Sequence, residues 1–181
     1  MVSGMRYALV VCVWLELLGL TPAGQKRCDL PVPDHIRIQD CSLAGMVVDA
    51  LDRSPTLRRE VDRVAELHGI VYVVTGVYAS LRRKELLGAL SPRVAVAGTT
   101  CVMRITLKRR SGPEAVATLA HELQHAIEVL EVPDARTERS VEAVFERIGS
   151  PVGYELYETD AALATEAAVR RELRGAAGNR W

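Results

Sequence analysis

Residues 101–131, "CVMRITLKRRSGPEAVATLAHELQHAIEVLE", change their hydrophobic period midway from two to about 3.6. From 101 to 108 apolar and polar residues alternate. Cys101, Met103, Ile105 and Leu107 share one face, and Val102, Arg104, Thr106 and Lys108 the other, which predicts a strand with one side turned outward. "RRSG" turns the chain, Pro113 suits a first helical position, and Ser111 with Glu114 has the spacing of an S-x-x-E capping box. The helix that follows has hardly any solvated face before Glu128 and Glu131: Ala117, Ala120 and Ala126 are small, and Leu119, Leu123, Ile127 and Leu130 are apolar. Such a helix must be covered by other elements.

The covering elements are legible on both sides. "CSLAGMVVDALDRS" (41–54) and "SPTLRREVDRVAELHG" (54–69) have helical spacing, with Ser54 as a cap, Pro55 at the first helical position and Gly69 as a stop. "IVYVVTGVY" (70–78) reads as a buried strand and "SPRVAVAG" (91–98) as a shorter one, while "ASLRRKELLGAL" (79–90) fits a strand or a short helix. Further on, "VEAVFERIG" (141–149) is a short helix and "YELYETDAALATEAAVRRELRG" (154–175) a long final one ending at Gly175. The expectation is an α+β fold, a small mixed sheet packed against helices. With 181 residues, 49% of them apolar and only 4% aromatic, it is one domain with a core of Val, Leu, Ala and Ile.

The first residues differ from the rest. "YALVVCVWLELLGL" (7–20) follows Arg6, is too short for a membrane span, and leads into small residues at Ala23 and Gly24. Residues 1–24 therefore read as a signal peptide and 25–181 as the exported domain, periplasmic or extracellular, with an uncleaved anchor as the alternative. Glu16 weakens the apolar run. Export leaves Cys28, Cys41 and Cys101. The first two flank "DLPVPDHIRIQD", a segment of little periodicity that an oxidising compartment could staple by a disulfide, and Cys101 reads as a small buried hydrophobe. Lysine plus arginine equals aspartate plus glutamate at 23 each, so no general field draws nucleic acid or an anionic membrane.

The chemistry gathers in "HELQH". On a helix, positions i and i+4 lie one above the other, so His121 and His125 can converge on one ion, a donor pair that suits Zn²⁺. Glu122 stands at the flank, where a carboxylate can take the proton of an attacking water without being a ligand. The plain alternative is two imidazoles that cover a partly polar surface or hydrogen-bond within the core. Against it, the apolar surroundings leave both rings desolvated and in need of partners.

"HELQH" on a helix after an alternating strand resembles the active-site helix of the zincin metallopeptidases, over roughly residues 100 to 170. The resemblance implies that "CVMRITLK" is an edge strand to which extended substrate pairs. A metzincin would need Gly at 128 and His at 131; both are Glu. The gluzincin pattern implies a third ligand from a later helix: Glu158 at its head, with Ala161, Ala162 and Ala164 letting it pack close. Asp160 is the nearest rival ligand, or a partner that orients a ligand imidazole, or simply an acid favoured at a helix N-terminus. Glu155 and Glu166 are weaker candidates, and Glu128 lies on the histidine stripe as a supporting or surface group. Tyr154 or Tyr157 could reach a developing oxyanion, or be packed rings with wet tips. His68, at a helix end, and His35 carry no such pattern. The implied protein is an exported zinc metallopeptidase acting on polypeptide, with a noncatalytic zinc module and a metal-free secreted binding domain as the other readings.

Overall fold

The structure, a computed structural model, describes residues 28–76, 86–153 and 156–178. The signal-peptide reading of 1–24, most of "ASLRRKELLGAL", Tyr154 and Glu155 lie outside the described residues. The elements in order are β1 (Ile36–Ile38), α1 (Cys41–Arg53), α2 (Pro55–Glu66), β2 (Gly69–Thr75), β3 (Gly88–Leu90), β4 (Ala95–Ala97), β5 (Thr100–Leu107), α3 (Pro113–Leu130), α4 (Glu138–Ile148), β6 (Ser150–Gly153), β7 (Leu156–Glu158) and α5 (Asp160–Gly178). The fold is α+β, a five-stranded mixed sheet packed with helices plus a two-stranded ribbon of β6 and β7.

Within the main sheet β1 runs parallel to β2, and β2 parallel to β5, from Gly69 opposite Cys101 to Thr75 opposite Leu107. β3 and β4 both pair antiparallel with the other side of β5, against Ile105–Leu107 and Thr100–Val102 respectively. β5 is therefore an interior strand, which corrects the edge position expected for it. That side of β5 is taken by β3, from the stretch whose state the sequence left open, and by β4, the shorter strand expected within 91–98. The alternation of β5 holds: Cys101, Met103, Ile105 and Leu107 are buried on the helix side.

Local chemistry places the helices. Asp40 caps α1, its Oδ1 accepting from Ser42 and Leu43 N–H, while its Oδ2 accepts from Thr75 Oγ1 at the end of β2. Cys28 and Cys41 form a disulfide that ties the incoming segment to the first residue of α1. Ser54 closes α1 and opens α2, its side chain accepting from Leu57 N–H as expected. Gly69 does not act through backbone freedom. His68 takes the left-handed conformation (φ 55°), and Gly69 begins β2 where a Cβ would stand 2.6 Å from Leu130 Cδ1 and 2.9 Å from Val64 Cγ1.

The helix carrying "HELQH", α3, is covered by the sheet, α2 and α5, and from Ala115 to Leu130 every residue but Gln124 is buried. The expected capping box is absent. Gly112 (φ 79°) occupies the N-cap without a side-chain bond, and Glu114 instead accepts from Arg170 and Arg174 of α5. A real capping box opens α4, between Thr137 and Ser140.

The final helix begins later than its sequence pattern suggests. Leu156–Glu158 pairs with Ser150–Gly153 as β7, and Thr159 caps α5 by accepting from Ala162 N–H. The helix also runs past Gly175. Its buried stripe is Ala162, Thr165, Val169 and Leu173, while Ala161 and Ala164 are exposed, so only one of the three alanines serves close packing. Near its far end Glu172 accepts from Ser54 Oγ (2.5 Å), Thr56 Oγ1 (2.7 Å) and Thr56 N–H (3.2 Å), fastening α5 to the first turn of α2. Among the described residues no helix is long and apolar enough to cross a membrane.

Candidate metal centre

His121 and His125 project from one face of α3, their ring centroids 4.8 Å apart and nearly perpendicular. Glu158 reaches them from the end of β7 rather than from a helix head. Its Oε1 lies 3.1 Å from His121 Nε2 and 3.4 Å from His125 Nε2. All three donors fall within 4.8 Å of one another. For a tetrahedral ion with bonds of about 2.0–2.1 Å, neighbouring donors stand about 3.3 Å apart, so these spacings suit a small divalent cation. Asp160, by contrast, is exposed at the start of α5 and outside the trio.

Each imidazole has a carboxylate behind it. His125 Nδ1 donates to Glu128 Oε2 at 2.9 Å, and Glu128 Oε1 accepts from Thr159 Oγ1 at 2.7 Å. That bond holds Nδ1 on Glu128 and turns Nε2 toward Glu158. Phe145 of α4 sets its ring perpendicular to His125 at 5.3 Å. His121 Nδ1 stands 3.4 Å from Glu166 Oε2 and is buried without a hydrogen bond. Glu166 is held in turn by Arg170 at 2.5 Å, and Arg170 by Glu114 at 2.7 Å.

The charges respond to this packing. Burial pushes Glu158 upward, but hydrogen bonds from both histidines outweigh it and hold the carboxyl at about 2. Burial depresses His125, yet Glu128 and Glu158 raise it to about 9, and His121 is raised too because Glu158, with Glu122 nearby, offsets its burial. Glu122, unlike Glu158, shifts upward, because it is enclosed. It lies under β3, where Gly88 presents no side chain and a Cβ would stand 2.7 Å from Glu122 Oε1.

Glu158, chosen from family resemblance, thus stands beside the two histidines. Tyr157 does not join it: alternation along β7 turns its side chain to the opposite face from Glu158. His35 binds Val61 O through Nε2 at 2.8 Å, and His68 is exposed. Thr159, Arg170 and Gly88 were not foreseen. The first two left a trace, Thr159 as a cap-type residue before an apolar stripe and Arg170 four residues after Glu166, whereas nothing local marks Gly88 as a neighbour of Glu122.

No family model matches the chain, and neither does any curated protein or solved structure. The group His121, His125 and Glu158 could hold a metal ion on its own geometry. Two imidazoles and one carboxylate are a donor set that a divalent metal ion accepts.

Proposed function

We propose that this chain is an exported zinc metallopeptidase that hydrolyses peptide bonds in extended polypeptide. The observation that carries the reading is the convergence of His121, His125 and Glu158 next to a buried carboxylate, Glu122, that is not one of the donors. A structural zinc site closes its fourth position with protein and has no use for such an acid, whereas a catalytic one keeps three protein ligands. When bound, zinc supplies a Lewis acid that acidifies water and polarises a carbonyl oxygen.

The chain's own residues supply the rest. Glu122 takes the proton of the attacking water and hands it to the leaving amine, and its burial favours the protonated form that this second transfer needs. Glu128 and Thr159 fix the orientation of His125. The edge of the sheet nearest Glu122, along β3, offers backbone groups to an extended chain. Export is supported by the Cys28–Cys41 disulfide, which an oxidising compartment preserves.

The test measures zinc content and the cleavage of unfolded casein, with and without a chelator. Glu122→Gln keeps its zinc and loses roughly 10²–10⁴-fold in turnover; Glu158→Ala loses the zinc. Wild-type protein that binds no zinc, or a fully active Glu122→Gln, would sink the reading.

A further inference from the structure

The two imidazoles are supported from different places. Glu128, behind His125, lies one turn further along the same helix and is anchored by Thr159. His121 is served from another helix. Its Nδ1 is buried without a hydrogen bond, and beside it, 3.4 Å away, stands Glu166 Oε2 of α5. The other oxygen of Glu166 accepts from Arg170 at 2.5 Å, and the same guanidinium donates through Nε to Glu114 Oε2 at 2.7 Å. Arg174 donates to the second oxygen of Glu114 at 2.6 Å. Glu166, Arg170 and Arg174 share one stripe of α5, and Glu114 and His121 share one stripe of α3, so a single seam runs from the first turn of α3 to the ring.

The exposure of these groups decides what the seam supplies. Arg170 and Glu114 have 33% and 37% of their side chains exposed, and ion pairs so placed add little stability. Glu166, at 18%, is more enclosed and faces the one buried ring nitrogen that lacks a partner. Because a guanidinium is a planar fork, Arg170 fixes where Glu166 stands when it binds both carboxylates at once. Resting on the reading of His121 as a metal donor, we propose that Glu166 and Arg170 are positioning residues for it. Arg170, braced on Glu114, holds Glu166 at the back of the ring. Glu166 accepts from Nδ1–H when Nε2 gives its lone pair to a metal ion. The supports of His121 and His125 share no residue, so the first donor depends on the docking of α5 along the start of α3.

The test has two arms. In metal-free protein the ring C–H signals of both histidines are followed by NMR. Arg170→Met, at a residue whose recorded bonds are to Glu166 and Glu114, moves or broadens the His121 signals and leaves those of His125 in place. Arg174→Met, which takes a different arginine from the same Glu114, leaves both unmoved. In the second arm chelator competition measures zinc affinity. Glu166→Ala weakens it about 10–100-fold, and Glu166→Gln, isosteric and still an acceptor, by less. Arg170→Met loses part of the Glu166→Ala factor, Arg170→Lys restores some of it without the fork, and the Glu166→Ala/Arg170→Met double variant is no weaker than Glu166→Ala, because Arg170 acts through Glu166. Melting temperatures of the metal-free variants stay close to wild type, which a merely structural role would not allow. His121 signals that ignore Arg170→Met overturn the brace, and equal zinc affinity in wild type and Glu166→Ala overturns its role toward the metal. Wild-type protein that binds no zinc overturns the donor reading and the assignment with it; the ring signals, read without metal, tell that failure from a failure of the brace alone.

Discussion

Thr159 Oγ1 donates to Glu128 Oε1 at 2.7 Å, both residues buried, and so couples the backbone next to Glu158 to the carboxylate behind His125. The same hydroxyl caps α5. Thr159→Val is expected to weaken zinc binding about tenfold by freeing Glu128 and to cost about 1 kcal/mol through the lost cap. Thr159→Ser restores both. Chelator competition gives the affinity and thermal melts of the metal-free protein give the stability; an unchanged affinity would mean that Glu128 needs no support.

Glu60 of α2 faces a groove shared with Gln124 and Ile127 of α3, its Oε2 buried and without a partner. Burial lifts its pKa to about 7, with Glu128 and Glu131 adding to the rise and Arg59 opposing it. The folded state thus holds this proton more tightly than the unfolded one. The associated penalty is absent below about pH 4.5, builds as pH rises toward 7, and is complete above. Glu60→Gln should match wild type near pH 4 and melt about 2–4 °C higher at pH 8, a gain of about 1 kcal/mol after solvent screening. Equal melting temperatures at pH 8 would contradict the shift.

The Cys28–Cys41 bridge closes a short loop, with a sequence separation of 13. Loop-closure entropy for this length predicts that a Cys28→Ser/Cys41→Ser double variant loses roughly 3 kcal/mol, measured by urea unfolding. Zinc affinity should be unaffected, because the bridge sits at the start of α1 rather than against α3. A parallel loss of affinity would indicate that the staple reaches the metal centre.

Gly69 has no room for a methyl group between Leu130, Val64 and the Val64 carbonyl. Gly69→Ala is expected to destabilise by about 1–3 kcal/mol through overpacking, even though its backbone dihedral is ordinary. Leu130→Ala in the same background should return part of that loss by removing the nearest atom, and a double variant no more stable than Gly69→Ala would place the strain elsewhere.

The sequence was most legible where periodicity ran long. The alternation of β5, the apolar wrap of α3 and the cap at Ser54 each predicted an element that formed. Apart from β4, expected within 91–98, short strands were the failures. β1, β6 and β7 span three or four residues, too few for a period to register, and "YELYE" was absorbed into the helix that follows. Position in the sheet was also invisible, since nothing within "CVMRITLK" reveals that β3 and β4 will cover its far side. The two histidines were evident from their spacing alone. Glu158 needed family resemblance, because its approach depends on a ribbon that no local pattern announces, and the Ser111–Glu114 capping box lost to the stronger attraction of Arg170 and Arg174 for Glu114.

The fastening of Glu172 onto Ser54 and Thr56 bears on how the molecule is made as well as on how it stands. A ribosome delivers α3, with both imidazoles, well before Glu158, Glu166 and Glu172, so a nascent chain exposes two histidines whose acidic partners from α5 and β7 have yet to be synthesised. Docking of the last helix supplies the Glu172 acceptor to the first turn of α2, and β7, which directly precedes that helix, carries Glu158. A metal ion that used all three donors could therefore be held only once translation has passed Glu158, and a chain ending before it would offer the two imidazoles alone.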